Sequence, residues 1–192
     1  MYRIQAIILY RQKIRDERVR TVLFCEEYGK ITAWEKGKEL GDIGNIVEVL
    51  IERKAWQNHI KNLHVLSLPG LDGWQYEEVI EYLHLLHILY ECLPEWSENR
   101  WLYNSLVQFI KWIEWKVGKV WFINLMQSKI LKILWYLNPR FYESSDSLRS
   151  LYSIIHTCSM KSMFSEVCIS QEDSTHVKMS ILDARHSYSY RH

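Results

Sequence analysis

Arg18-Val19-Arg20-Thr21-Val22-Leu23-Phe24-Cys25-Glu26-Glu27-Tyr28-Gly29-Lys30-Ile31-Thr32-Ala33-Trp34 holds two runs of β-branched and aromatic residues around a short polar break. Both runs favour extended backbone, because such side chains fit a pleated, half-buried surface. Glu26-Glu27-Tyr28-Gly29 reads as the tight turn between them, with Gly29 free to take the positive φ that such turns need. The stretch is a hairpin. Upstream, Tyr2 to Tyr10 has the same composition. Downstream, Asn45 to Glu52 alternates, with Ile46, Glu48, Leu50 and Glu52 on one face and Val47, Val49 and Ile51 on the other. Leu63 to Leu68 supplies a fifth strand. Five closely spaced strands suit a small closed barrel, and the OB-fold is the common five-stranded barrel that binds nucleic acid.

Leu68-Pro69-Gly70-Leu71-Asp72-Gly73 breaks this pattern, and a helical period begins after it. Asp72 with Gln75 reads as a capping box, and Val79, Ile80, Leu83, Leu86, His87 and Tyr90 as the inward stripe of a helix that Pro94 stops. Ser97 reads as the N-cap of a second helix carrying Trp101, Leu102, Leu106, Phe109, Ile110 and Ile113. A third helix is expected from about Val120 to Leu137, and a weaker fourth from Ser147 to Cys158. The expected fold class is therefore α+β: an N-terminal five-stranded OB-like β-barrel over residues 1–70, followed by an α-helical bundle domain over 71–192. Its polar tail, 164–192, suggests no role.

Composition narrows the function classes. With 192 residues, 48% of them hydrophobic, nine Trp and twelve Tyr, the chain is too apolar and too aromatic to be disordered. The run Ala6-Ile7-Ile8-Leu9-Tyr10 is too short for a signal-peptide core or a membrane span, so a cytoplasmic protein with no membrane contact is expected. Cys25, Cys92, Cys158 and Cys168 lack the paired spacing of a disulfide framework or zinc ribbon, which points to reduced thiols. Glu81-Tyr82-Leu83-His84 has ligand spacing on a helix, but no second such motif exists to complete a carboxylate-bridged metal pair. Cys158, Cys168, His156 and His176 match no common zinc module. Neither a phosphate-cradling Gly-rich loop nor a nucleophile elbow is present. The expectation is a protein that is not an enzyme and carries no metal or cofactor.

Charge placement is more informative than the formal net charge of +1. Arg11, Lys13, Arg15, Arg18 and Arg20 cluster against Asp16 and Glu17, and Lys36 and Lys38 follow. Such clustering is the footprint of a phosphate-binding face, although a solvated loop has the same composition. All seven cations fit one rim if the first and third inter-strand loops share an end of the barrel. Among Tyr10, Tyr28 and Trp34, Trp34 is the ring assigned to the DNA-binding set, as a base-stacking partner or, equally, a core residue.

The order of these elements also resembles a known family. Thr21-Val22-Leu23-Phe24-Cys25-Glu26-Glu27-Tyr28-Gly29-Lys30-Ile31-Thr32-Ala33-Trp34-Glu35-Lys36-Gly37-Lys38 is similar to the RecO signature: a strand, a turn with Gly-Lys, a strand, then Lys-Gly and a basic residue. Ala6-Ile7-Ile8-Leu9 and Leu131-Lys132-Ile133-Leu134-Trp135-Tyr136-Leu137-Asn138-Pro139 fit the same layout. The resemblance implies a recombination mediator that binds single- and double-stranded DNA and anneals strands coated by single-strand-binding protein. With a RecR-like partner, it would help RecA displace that coat. It also implies that the helical half receives the acidic, apolar tail of single-strand-binding protein. Trp112, Trp115, Lys111 and Lys116 have the chemistry for such a tail. The family's zinc-binding cysteine cluster is missing after Pro139, where Arg140-Phe141-Tyr142-Glu143 stands. A different class of function fits the same Trp-rich helices: a non-catalytic adaptor that docks another protein without binding DNA.

Overall fold

A computed structural model describes residues 1–14, 18–36, 41–67, 71, 73–113, 119–133, 177–179 and 181. Strands β1 (Tyr2–Lys13), β2 (Arg18–Cys25), β3 (Gly29–Lys36), β4 (Ile46–Lys54) and β5 (Gln57–Ser67) form a closed barrel in the order β1-β2-β3-β5-β4. The barrel is OB-like, and helices follow it. Neighbouring strands are antiparallel except β3 and β5, which pair in parallel at Ala33↔Asn58 and Trp34↔His59. That short seam needs side-chain support. Asn58 provides it, donating to the Thr32 carbonyl at 3.0 Å and accepting from the Tyr2 hydroxyl at 3.3 Å.

Alternation fills the interior. Ile4, Ala6, Ile8, Leu23, Cys25, Ile31, Ala33, Val47, Val49, Ile51, Ile60 and Leu63 form one buried cluster, drawn from every strand. Burial holds the Cys25 thiol largely protonated, its pKa pushed up to about 11. Three register shifts interrupt the alternation: one in β1 between Ile8 and Tyr10, and two where β4 pairs with β5, between Leu50 and Ile51 and between Ile46 and Val47. Beyond a bulge each residue faces the opposite side from the one simple alternation assigns.

Gly29 closes the β2–β3 turn at φ 66°. A Cβ there would lie 1.9 Å from the Ser97 carbonyl oxygen, so the position demands both the backbone freedom and the lack of side chain that Gly offers. The segment after α1 (Tyr76–Cys92) lies along β3: Glu95 bridges Lys30 in parallel, and the Trp96 amide donates to the Lys30 carbonyl at 2.9 Å. α2 (Arg100–Ile113) is capped by Asn99 rather than Ser97, the Asn99 side chain accepting the Leu102 amide at 3.0 Å. Its buried face is Leu102, Tyr103, Ser105, Leu106, Phe109, Ile110 and Ile113, while Trp101 is half exposed.

The chain forms two compact units, 1–75 with 89–115 and 76–88 with 116–192. In the second, α1 buries Tyr82, Leu85 and Leu86, whereas Leu83 and His87 are exposed. The stripe read from the sequence therefore has the wrong phase, because apolar residues occur on several faces of this helix. α3 (Lys119–Ile133) is buried from Ile123 through Leu131, polar Asn124, Gln127, Ser128 and Lys129 included. Gln127 donates to the Glu81 carbonyl at 2.9 Å and to its carboxylate at 3.2 Å. The fourth helix expected at 147–158 lies outside the described residues, as do Asp72 and the tail from 182 onward. Among the described residues no helix is long and apolar enough to cross a membrane.

Candidate nucleic-acid interface

Register decides which charges point outward. Across β2 and β3 the pairs Arg18↔Lys36 and Arg20↔Trp34 alternate with the inward pairs Val19↔Glu35 and Thr21↔Ala33. Arg18 and Lys36 are exposed, Arg20 and Trp34 half-buried. Trp34 is thus outside the barrel core. β5 extends this face, since Trp34 pairs with His59, and β4 completes it through Glu52↔His59 and Lys54↔Gln57. The second bulge leaves Lys61 as the extra residue on β5, exposed beside the equally exposed Asn62.

These side chains surround an open cleft of about 550 Å³, lined by Arg18, Trp34, Glu35, Lys36, Lys54, Gln57, His59, Ile60 and Lys61. Arg18, Lys36, Lys54 and Lys61 are its four lysines and arginines. The Glu52 carboxylate receives Lys61 Nζ at 2.8 Å and Lys54 Nζ at 3.2 Å, and these two hydrogen bonds lower its pKa. It therefore remains anionic beside them. Lys54 and Lys61 keep 61% and 42% of their side-chain surface exposed, so a solvent-borne anion can reach both.

Arg11 behaves differently from the rim cation expected of it. Simple alternation after Ile4, Ala6 and Ile8 would turn it outward, but the β1 bulge reverses the parity and sets it opposite Thr21. Its side chain is 10% exposed, and its guanidinium pairs with Glu35 at 2.5 Å and donates to the Gly41 carbonyl. Arg11 is thus a nearly buried ion partner of Glu35 and not an exposed rim cation. Lys13, two residues on, is exposed near the end of β1. Arg15 and Lys38 lie outside the described residues.

The sequence reading missed Lys54, Lys61, His59 and Gln57. Lys54-Ala55-Trp56-Gln57 carries none of the Gly, Pro, Asn or Asp that marks a turn, so the β4–β5 hairpin has no local signature and the expected strand begins at Leu63, whereas β5 begins at Gln57. Of the residues expected to dock a partner, Lys111 is exposed and Trp112 half-buried, its ring 6.4 Å from that of Phe109. Trp115 and Lys116 lie outside the described residues. Glu81 Oε2 is 3.7 Å from His84 Nδ1, and among the described residues no three His, Cys, Asp or Glu side chains converge as metal ligands.

A scan against protein-family models matches none, and a search of curated proteins finds no match.

Proposed function

We propose that the outer face of β2, β3, β4 and β5 binds nucleic acid through its phosphates, as the DNA-contacting surface of a recombination mediator of the RecO type. The observation that carries this reading is the convergence of Arg18, Lys36, Lys54 and Lys61 around one open cleft beside Trp34. OB barrels bind oligonucleotides on the strand 2–3 face and its flanking loops, which is where the cleft opens. Each phosphate neutralised by Lys or Arg releases a condensed cation, so affinity is independent of sequence and steeply dependent on salt. Annealing, assistance to RecA and contacts with single-strand-binding protein and a RecR-like partner follow from the family resemblance alone. The helices fit a bundle that docks such partners.

The test is Arg18→Ala, Lys36→Ala, Lys54→Ala and Lys61→Ala in one chain, titrated with DNA at several salt concentrations. Four lost contacts should flatten the slope of log affinity against log salt by about 2.8 for single strands. Melting should change little, because exposed positions each contribute within about 0.5 kcal/mol. A folded variant with unaltered affinity and slope overturns the reading. The adaptor reading then gains, supported by Trp101, which leaves half its surface exposed on α2.

A further inference from the structure

We propose that the β4–β5 turn is a base-stacking finger: Trp56 covers the face of an unpaired base when a strand occupies the adjoining cleft. The inference rests on the nucleic-acid reading above and adds the basis of strand preference to it. Trp56 is 91% exposed, the highest value among the large apolar side chains described. A Trp left in water forgoes the burial that makes its large surface stabilising, so a ligand that covers it gains that surface. Nor does the turn select it. Lys54 pairs with Gln57, which leaves Ala55 and Trp56 as a two-residue connection, and Ala55 takes φ 51°. Two-residue hairpin turns favour Asn-Gly or Gly-led pairs for such angles, and a non-Gly residue there is strained. Ala-Trp sacrifices turn stability for a ring.

The backbone that carries the ring adjoins the cleft. Lys54 and Gln57, which bracket the turn, both line the cleft, so the Trp56 Cα is about 3.8 Å from that of a lining residue. Pairing on both sides of the turn holds the finger in register. Phosphate contacts and an aromatic platform then sit within one nucleotide's reach, the combination that binds single strands without regard to sequence. A paired base within a duplex is already stacked on both faces and has none to offer. Trp56 therefore discriminates strands, whereas the cations attract both.

The experiment compares Trp56→Ala and Trp56→Phe with the unaltered chain, by fluorescence anisotropy on labelled oligothymidine and on a blunt duplex of equal length, at two salt concentrations. Trp56→Ala should weaken single-strand binding by about 5- to 150-fold, leave duplex binding unchanged and preserve the salt slope, since no charge is lost. Trp56→Phe should retain most of the affinity, and both variants should melt like the parent. Equal losses on the two substrates, a flattened slope, or no loss on either overturns the finger. No loss from Trp56→Ala combined with a loss from the four-cation variant would leave the cleft standing and assign Trp56 to protein contact. No binding by the parent chain would remove both.

Discussion

The outer face of β2 and β3 divides into two halves with opposite treatment. At the turn end, Phe24 meets the Tyr103 ring edge-on at 5.8 Å, Lys30 donates to the Tyr90 carbonyl at 2.7 Å, and Thr32 donates to Glu95 at 3.0 Å. At the other end Arg18, Trp34 and Lys36 line the open cleft, with Arg20 half-buried opposite Trp34. One sheet with one alternation thus supplies a sealed half and an open half. What separates them is the outward side chain itself: Val22 and Phe24 gain by being covered, whereas Arg18 and Lys36 would lose their hydration. Even the cation within the sealed half fits this account, since burial lowers the Lys30 pKa while Glu95 and Glu91 partly restore it.

The sealed half should be unforgiving. Gly29→Ala meets the Ser97 carbonyl at 1.9 Å and adds the cost of a positive φ, about 1–2 kcal/mol by itself. The expected outcome is loss of cooperative melting, or a fall in Tm of more than about 10 °C, read by circular dichroism. A variant that melts normally would show that the segment after α1 does not seal the turn, and the comparison would collapse.

Arg11 is the case in which sequence and structure assign one cation to opposite classes. Its pair with Glu35 is nearly buried, and removing one member of such a pair costs about 3–5 kcal/mol. Arg11→Met should therefore destabilise by that order in urea unfolding, yet leave DNA affinity per folded molecule unchanged. Arg11→Met with Glu35→Leu should regain most of the loss, because an apolar pair of similar volume avoids the stranded charge. A stable Arg11→Met chain with weakened DNA binding would return Arg11 to the open face.

These two positions also show what the sequence could reveal. The hairpin at 18–36 was legible because strand composition, a Gly turn and strand composition again agree over its length. Arg18, Arg20 and Lys36 were read from charge clustering alone, and the β2–β3 register is what sets them and Trp34 on one outward face. Arg11 was read as a loop cation because strand composition ends at Tyr10, whereas β1 continues to Lys13 and a bulge that nothing in Ile8-Leu9-Tyr10-Arg11 announces turns the side chain toward Glu35. Lys54 and Lys61 were invisible for a related reason, since the cleft depends on β5 lying parallel to β3 and on a second bulge exposing Lys61. Neither fact has a local signature. The helix after residue 75 was legible as a helix, but its many apolar residues concealed its phase.

The smallest expected effect concerns Glu52, which holds two cations of the cleft that adjoins the open half. Glu52 binds Lys54 and Lys61 together, so a phosphate entering the cleft competes with a carboxylate already in place. Glu52→Gln removes that competitor while keeping the side chain's shape and its capacity to accept a hydrogen bond. Exposed ion pairs are weak, so a gain in DNA affinity of about threefold is the expected scale. The salt slope should steepen by about 0.7 for each lysine released to a phosphate on a single strand. Acid should mimic the substitution. The two hydrogen bonds place the folded pKa of Glu52 below its ordinary value, so the support this ion cluster gives the fold is present above the unfolded carboxyl pKa and fades as pH falls through the folded one. Between neutral pH and that point the parent and the variant should differ by a constant factor. Titration of labelled single-stranded DNA into both proteins at several pH values measures it. Weaker binding by Glu52→Gln at every pH would mean that the carboxylate orients the two lysines for phosphate rather than occupying them, making the open half as preorganised as the sealed one.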